Sequence, residues 1–397
     1  MVAALVTLGG AAVRSGASTP SLPNLAVTTL GPLETSSEHA GNYWIDRDEG
    51  ISAALGGSRS LWIFGDTTVV RKVAGTVTRL SFITGSTAAE GRTPVLKAPT
   101  ALDEVQVGST AANPTTYPSH FMANPTALFE PGRATPCLNS SAGFPARWVT
   151  GAALIPSTTT VLITFYDVCL ESNTSYPVEA WGFTEFNTST NAFVVPPTEV
   201  FGPAPLGATL PLADRFEAPV FTAGGKLVLF SSQCTNQVGT TCIAGSVNAV
   251  SMVPTLANLE NPASYVPMAL HVDATSKPWA PLKTVSVNLY PGSGGSIPSF
   301  VLVEQTDDSG DLAIYRGSTA TGPFHEVGTA RLPGCDGPPP IDANGVESIS
   351  HFCYAYVGHP EMSQGSTLVL TYFRPGYLTP GGHLMVVSVR LPVSAGM

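Results

Sequence analysis

The sequence predicts an all-β protein, and we expect a five-bladed β-propeller with four-stranded antiparallel blades around a central channel. Three observations support this fold class. The 397 residues include 39 Gly and 35 Pro, which separate short runs rich in Val, Leu, Ile, Phe and Thr, as is typical of many short strands joined by tight turns. Apolar residues at helical spacing are nearly absent. Finally, one sequence pattern recurs five times along the chain, which is typical of repeat architectures.

Nine runs have the β-branched and aromatic composition of strands. They cover residues 60–67, 78–85, 146–155, 159–170, 226–233, 299–306, 312–318, 366–374 and 383–391. No low-complexity linker divides the chain. We therefore predict a signal-peptide-like segment at 1–20 and a single propeller domain at 21–397.

The recurring pattern is a small polar or charged residue beside Pro or Gly, then a turn, then a strongly apolar strand. Superposing the five copies makes five positions equivalent, namely Asp48, Asn124, Glu217, Pro298 and His359. Roughly 60–90 residues separate successive copies, which suits four-stranded blades with variable loops. Because a propeller closes by joining its last blade to its first, residues near 30–45 and the run at 383–391 should share one blade. Two β-sandwiches with similar strands are the alternative fold.

Charge and hydrophobicity limit the kinds of molecule or surface that the protein can bind. The formal net charge is −10 and no basic run occurs, so the electrostatic footprint of a nucleic-acid-binding protein is missing. The N-terminal apolar run is too short to span a bilayer. It resembles a secretory signal, although no basic residue precedes it. We expect a secreted, monomeric protein with no membrane span.

The six cysteines are even in number and lack the C-x-x-C spacing of a zinc site. Disulfides in an exported protein are the simpler interpretation. Fifteen connectivities are possible. Pairing of nearest neighbours in sequence would join Cys137 to Cys169, Cys234 to Cys242 and Cys335 to Cys353.

Three carboxylates are candidates for catalysis. In a propeller, residues at the start of each innermost strand converge on one channel mouth, so Asp48 and Glu217 should face each other. Two facing carboxylates can cleave a glycosidic bond, one protonating the leaving oxygen and the other activating water or attacking the sugar. Asp66 is a third carboxylate that could raise the pKa of the acid. Turn-closing roles for the two aspartates and a surface ion pair between Glu217 and Arg215 are the alternatives.

Five further residues are predicted to bind substrate. They are Asn124, Arg47, His359, Glu361 and Trp181. Trp181, like Trp279, is placed by its polar neighbours in a loop, where an indole can stack on a sugar face, whereas Trp62 is expected to pack in the core. A structural role for the His359 imidazole is the alternative.

The segment "RDEGISAALGGSRSLWIFGDT" resembles the opening of domain-of-unknown-function family 4185, whose pattern is roughly R-D-G-G-x-S followed by G-x-x-L-W-x-F-G-D-T. That family of secreted five-bladed propellers is related to propeller glycosidases such as arabinanases and arabinofuranosidases, and some members are similar to endo-D-arabinanases. "RFEAPVF" resembles the segment that carries the general acid in those glycosidases. "GHPE" resembles the segment whose His lines the channel, sometimes beside a bound metal.

The resemblance implies a role for each matching residue. Asp48 would be the base or nucleophile, Glu217 the acid, Asp66 a modulator or substrate ligand, and His359 a channel residue. Two positions depart from the pattern. Asn124 stands where the wider glycosidases have a pKa-tuning Asp, and Glu49 replaces the first Gly of R-D-G-G.

These observations predict a secreted glycoside hydrolase that acts on a polysaccharide, with arabinose-containing glycans as the first choice. The alternatives are a propeller that only binds carbohydrate or a protein partner, and a structural surface protein. No cofactor is required and no metal-binding residues are predicted, although the resemblance allows a structural calcium ion in the channel. Sequence motifs of α/β-hydrolases, P-loop proteins and H-E-x-x-H metalloproteases are absent.

Overall fold

The structure is a computed structural model. It describes residues 22–41, 43–73, 76–109, 117–125, 137, 144–170, 177–203, 210–211, 214–238, 241–273, 285–290, 299–305, 310–335, 353–374 and 384–392. The predicted signal-like segment, Trp279 and the side chains of Cys234 and Cys242 lie outside the described residues.

Five sheets of four or five strands, here called sheets 1 to 5, follow one another along the chain. Sheet 1 contains β3 (Ile51–Gly56), β4 (Arg59–Phe64), β7 (Thr87–Arg92) and β8 (Asp103–Glu104). Sheet 2 contains β9 (Phe144–Leu154), β10 (Thr160–Leu170), β11 (Val178–Asn187) and β12 (Ala192–Phe201). Sheet 3 contains β13 (Glu217–Phe221), β14 (Leu227–Val238), β15 (Thr241–Met252) and β16 (Val266–Met268).

Sheet 4 contains β18 (Val285–Tyr290), β19 (Ser299–Gln305), β20 (Asp311–Gly317), β21 (Phe324–Arg331) and the short parallel strand β17 (Val272–Asp273). Sheet 5 contains β22 (Tyr354–Gly358), β23 (Thr367–Phe373), β24 (Leu384–Arg390) and β1 (Ala26–Pro32). A small three-stranded sheet contains β2 (Tyr43–Arg47), β5 (Thr67–Val73) and β6 (Thr76–Ile83). The helices are α1 (Ser36–Gly41), α2 (Leu256–Leu259) and the 3₁₀ turns Pro262–Ser264 and Pro360–Met362.

The core lies between sheets. Each of five apolar clusters joins two neighbouring sheets: 1 with 2, 2 with 3, 3 with 4, 4 with 5, and 5 with 1. In the last of these, Trp62 and Phe64 of sheet 1 pack with Val369 and Val386 of sheet 5. The middle strands are therefore apolar on both faces, which explains their continuous β-branched and aromatic runs.

The innermost strands are neighbours in the same order as the sheets. β3 packs against β9, β9 against β13, β13 against β18, and β18 against β22. Close approach requires a glycine at one of these contacts, since a Cβ on Gly151 would lie 2.1 Å from Cδ of Pro219. The segment that follows Glu217 can therefore lie directly beside β9.

The two ends of the described chain share sheet 5. β1 pairs antiparallel with β24, with Val27 opposite Val389 and Pro32 opposite Met385. The prediction that an N-terminal segment and the C-terminal run lie in one sheet is confirmed, with the segment at 26–32.

All nine predicted strand runs overlap strands of the structure, but the superposition of the repeats is wrong in sheets 2 and 5. The innermost strands of these sheets are β9 and β22. Asn124 lies well before β9, and His359 follows β22 instead of preceding it. Pro298 lies outside the described residues. Asp48 and Glu217 do stand at the start of β3 and β13.

Two of the predicted disulfides are present. Cys137 pairs with Cys169 and Cys335 pairs with Cys353, with Cα–Cα distances of 5.7 and 5.6 Å. Cys353 directly precedes β22, so the second disulfide anchors the start of that strand. Within the described ranges, no helix is long and apolar enough to cross a membrane.

Candidate functional site

Four carboxyl groups, here called the acid cluster, come together at the beginnings of β3 and β13. They are Asp48, Glu49, Asp66 and Glu217. Burial raises the pKa of Glu49 well above its usual value, and the charges of the other three carboxylates raise it further. The structure thus brings the three predicted catalytic carboxylates into one neighbourhood and adds Glu49, which we did not predict.

Asp48 lies between β2 and β3. Its Oδ2 accepts a hydrogen bond from the hydroxyl of Tyr354 at 2.8 Å, whereas its buried Oδ1 has no hydrogen-bond partner within the described part of the chain. Burial, together with the charge of Asp66, raises the pKa of Asp48 well above its usual value, and the Tyr354 hydrogen bond only partly opposes this rise. Its carboxyl group lies against Gly65, where a Cβ would approach Oδ1 to 2.1 Å.

The same local turn begins three of the innermost strands. Asp48, Glu217 and Tyr354 are each followed by a non-glycine residue with a left-handed φ, namely Glu49 at 68°, Ala218 at 44° and Ala355 at 57°. The strand register shifts just after Glu217 and just after Tyr354. Such irregularities re-aim the neighbouring side chain. Tyr354, not His359, is therefore the counterpart of Asp48 in sheet 5.

Asp66 follows β4 and accepts two hydrogen bonds through Oδ1. One comes from the backbone N–H of Gly85 at 2.8 Å and the other from the indole Nε1 of Trp148 at 3.0 Å. Burial nevertheless raises the pKa of Asp66 to about 6, because desolvation outweighs both hydrogen bonds. Asp66 is thus poised to change its charge near neutral pH.

Glu217 is the first residue of β13 and is only 5% exposed. Its Oε1 accepts a hydrogen bond from the hydroxyl of Tyr166 at 2.9 Å. Glu217 is too buried for a solvent-exposed ion pair, although Arg215 interacts electrostatically with it, and Nε of Arg215 donates to the carbonyl of Leu210. Asp48 and Glu217 are therefore each held by a tyrosine hydroxyl, Glu217 in a buried position and Asp48 in a partly exposed one.

His359 and Glu361 lie at the other end of β22 from Tyr354, in a buried hydrogen-bond network. Ser52 donates to Glu361, so Nδ1–H of His359 donates to Ser52 Oγ at 2.6 Å, and Nε2 accepts from Thr371 at 2.8 Å. Burial lowers the pKa of His359 to about 3, so the ring is neutral. His359 is 0% exposed. The burial and the two hydrogen bonds favour the structural alternative for His359, and its role in substrate binding stays a prediction.

Asn124 and Arg47 also have structural partners. The Asn124 side chain donates to the carbonyl of Thr84 and accepts from the backbone N–H of Arg147. Arg47 is 2% exposed and pairs with Glu104 at 2.6 Å. The amide of Asn124 thus ties together the segments that lead into β7 and β9, while Arg47 anchors β2 to β8.

Trp181 is not in a loop. It lies in β11 with 0% exposure, and its Nε1 donates to the carbonyl of Phe216. Its predicted placement in a loop is wrong, and its contact with substrate stays a prediction. Trp148, in β9, is the partly exposed tryptophan that contacts the acid cluster.

Four residues of this neighbourhood are not among the predicted site residues, namely Glu49, Tyr166, Tyr354 and Trp148. Glu49 is the one with a signal, because it replaces a glycine of the resembling pattern directly beside Asp48. The two tyrosines and Trp148 lie in apolar strand runs, where the sequence pattern does not separate channel-facing aromatics from core aromatics.

A calcium ion at His359 does not fit the described residues. Both ring nitrogens are occupied by hydroxyl groups, so neither offers a lone pair to a metal. No group of three or more His, Cys, Asp or Glu side chains is arranged to hold an ion in the part of the chain that the structure describes. We therefore derive no step through a metal.

Comparison of the fold with solved structures gives matches over most of the chain. A Bacteroides ovatus ATCC 8483 protein, provisionally named a hydrolase, is 14% identical with a TM-score of 0.53, covering 91% of this chain and 87% of the other. The two proteins share a fold. No protein-family model and no curated protein matches the sequence.

Glycoside hydrolases also match, at lower TM-scores. One is the family 117 enzyme Zg3597 from Zobellia galactanivorans, with 10% identity, a TM-score of 0.43, and coverage of 94% and 92% of the two chains. Another is CoXyl43, a family 43 β-xylosidase/α-arabinofuranosidase from a compost metagenome, with 11% identity, a TM-score of 0.45, and coverage of 92% and 94%. At these identities the likeness concerns the fold alone. The resemblance to family 4185 and to arabinanases stays a prediction.

Proposed function

We propose that this protein is a secreted glycoside hydrolase that cleaves a polysaccharide, and that sheets 1 to 5 are the blades of one five-bladed propeller. The observation that carries the proposal is the pair of carboxyl groups at equivalent turns of sheets 1 and 3, namely Glu217, which is buried, and Asp48, which is partly exposed with a buried Oδ1. The circuit of five apolar clusters supports the number of blades. The two disulfides support an extracellular location.

The proposed reaction needs one ionised and one protonated carboxyl group. Glu217 is the proton donor to the leaving oxygen, and Tyr166 fixes its orientation. Asp48 is the base or nucleophile, because the Tyr354 hydroxyl stabilises its charged form. Asp66 adds negative charge beside Asp48 when it is ionised. It therefore adjusts the pH at which Asp48 becomes active.

The substrate we propose is an arabinose-containing polysaccharide. The support is the first-blade segment, whose Arg47, Asp48 and Asp66 match the resembling pattern. Trp148, partly exposed beside Asp66, is the aromatic side chain placed to contact a sugar ring.

The test is release of reducing sugar from arabinans, xylan, galactan and fructans. The wild type should release sugar from arabinan, and Asp48→Asn and Glu217→Gln should each lose at least about 100-fold in rate. Asp311→Asn, which removes a carboxylate paired with Arg331 on sheet 4, and Glu260→Gln, on the surface, are the matched controls and should retain activity.

Two results would contradict the proposal. If Asp48→Asn and Glu217→Gln both retain activity, the acid cluster does not catalyse the cleavage. Binding of a glycan without release of sugar would instead indicate a carbohydrate-binding propeller. Melting temperatures of all variants show whether a loss of rate reflects unfolding.

A further inference from the structure

Glu49 stands in a backbone conformation that does not favour glutamate. Its φ is 68°, in the left-handed region where glycine is the default residue. At the two equivalent turns the corresponding residue is Ala218 or Ala355, each with a one-carbon side chain. Strained backbone of this kind is typically retained where the side chain has a function.

The Glu49 carboxyl group lies beside that of Asp48. A Cβ built on Gly65 would lie 3.2 Å from Cδ of Glu49 and 2.1 Å from Oδ1 of Asp48, so both carboxyl groups pack over one α-carbon. Glu49 Oε2 and Asp48 Oδ1 are both buried, and neither has a hydrogen-bond partner among the described residues. Two neighbouring buried oxygens of this kind are costly unless one of them carries a proton.

Among the described residues, the carboxyl groups that act on Glu49 all disfavour a negative charge on it. Asp48 and Asp66 approach it from sheet 1 and Glu217 from sheet 3. Tyr166 approaches from sheet 2 and is itself hydrogen-bonded to Glu217. Arg215 is the nearby cation, and its interactions are with Tyr166 and Glu217. The surroundings of Glu49 therefore favour its neutral form.

We propose that Glu49 is a positioning residue that carries a proton shared with Asp48 and so holds Asp48 ionised and oriented in the site. The proton resides on Glu49 because the Tyr354 hydroxyl already stabilises the charge of Asp48, whereas no hydrogen bond stabilises a charge on Glu49 Oε2. The inference deepens the proposed function, on which its catalytic part rests. The shared proton itself does not depend on the protein being an enzyme.

Infrared spectroscopy at neutral pH tests the proton directly. The wild type should show the carbonyl band of a protonated carboxylic acid, and Glu49→Gln should lose intensity equal to one such group. Glu260→Gln, which changes an exposed glutamate, should leave the band unchanged. An unchanged band in Glu49→Gln would overturn the proposal, whether or not any glycan is cleaved.

Kinetics test the positioning role. Glutamine imitates the protonated acid, so Glu49→Gln should keep kcat/KM within about tenfold of the wild type, whereas Glu49→Gly should lower it by about 10- to 100-fold. Ser58→Gly is the matched backbone control, since Ser58 is an exposed left-handed residue with a φ of 61°. Both glycine variants should keep or raise the melting temperature.

A Glu49→Gly enzyme with wild-type kcat/KM would overturn the positioning role. If the wild type cleaves no glycan but Glu49→Gln loses the carbonyl band, the proposed function is overturned and the shared proton is still supported. The two failures are therefore distinguishable.

Discussion

Tyr354 donates its hydroxyl hydrogen to Oδ2 of Asp48 at 2.8 Å, so the first residue of β22 holds the residue that leads into β3. This hydrogen bond opposes burial and the charge of Asp66, both of which raise the pKa of Asp48. It also links sheet 5 to sheet 1 at the acid cluster. The ionisation of Asp48 thus depends on a contact between two sheets.

Replacing Tyr354 by Phe should raise the pKa of Asp48, because the hydrogen bond that stabilises the carboxylate is lost. The acid limb of the pH profile of kcat/KM should therefore move to higher pH, with a loss of about tenfold at neutral pH. The control is Tyr372→Phe, which removes a hydroxyl bonded to the carbonyl of Pro333. An acid limb that stays in place in Tyr354→Phe would contradict the assignment of Asp48 as the base.

Asp66 should make the protein less stable as the pH rises from about 4 to about 6. Its carboxyl group has a pKa of about 6 in the folded state, against an ordinary value of 3.8. The folded state therefore binds more protons in this window, and the free energy of unfolding falls as the proton is lost. The loss is on the order of 3 kcal/mol at pH 7.

Asp66→Asn should remove this pH dependence, because the amide oxygen can accept the same hydrogen bonds without a charge. The variant should be more stable than the wild type at pH 7 and about equally stable at pH 4. Urea unfolding at both pH values measures the difference. The same slope in the two proteins would show that Asp66 does not carry the effect.

Gly65→Ala should disable the site with a modest change in stability. The added Cβ would lie 2.1 Å from Oδ1 of Asp48, and the φ of Gly65 is outside the left-handed region. We expect a loss of at least about 100-fold in kcat/KM and of roughly 1–3 kcal/mol in stability. Gly224→Ala is the control, since its nearest neighbour, Thr222 Oγ1, is 3.8 Å from the new Cβ. Retention of full activity in Gly65→Ala would mean that Asp48 is not needed in its observed position.

Trp181 and Trp148 should respond differently to replacement by Phe. Trp181→Phe removes one of the two hydrogen bonds that the carbonyl of Phe216 accepts, the other coming from the Thr150 hydroxyl, so it should cost about 1 kcal/mol of stability and leave glycan affinity unchanged. Trp148→Phe removes the donor to Asp66 and should lower kcat/KM. Thermal unfolding together with titration of a glycan distinguishes these outcomes. A loss of glycan affinity in a folded Trp181→Phe protein would support the predicted contact of Trp181 with substrate.

Removing the disulfide between Cys335 and Cys353 by a double replacement with Ala should cost about 3 kcal/mol, because it closes a segment with a sequence separation of 18. It should also lower kcat/KM, since Tyr354 directly follows Cys353 and loses its anchor. The matched control removes the disulfide between Cys137 and Cys169, which should cost a similar stability and leave the acid limb of the pH profile in place. A wild-type pH profile without the Cys335–Cys353 bond would show that Tyr354 is held by β22 alone.

The strands of the core could be predicted from the sequence because the middle strand of a sheet that is covered on both faces is almost entirely apolar. β10 and β23 have this composition, and both were predicted. The innermost strands are harder to predict from the sequence. β22 has only five residues and β13 has a left-handed alanine, Ala218, as its second residue, so neither shows a clean alternating pattern.

At the site, Asp48 and Glu217 could be predicted because a carboxylate beside Gly or Pro at a strand start is visible in sequence. Tyr354 could not, because its role comes from a bulged turn at a non-glycine residue. Conversely, "GHPE" has the appearance of a site motif, although His359 is buried and bonded through both nitrogens. Short motifs specify residue types, and the register of the strand decides which side chains meet.

The pairing of β1 with β24 has a consequence for the order of folding. Ala26 lies opposite Arg390, so this sheet joins residues at the two extremes of the described chain. Contacts of such long sequence separation form slowly, since the whole intervening chain must be ordered before they contribute. During synthesis β1 leaves the ribosome long before β24 exists, and sheet 5 cannot be completed until translation has passed Arg390. Until then the outer edge is open, and the growing chain exposes apolar strands to aggregation.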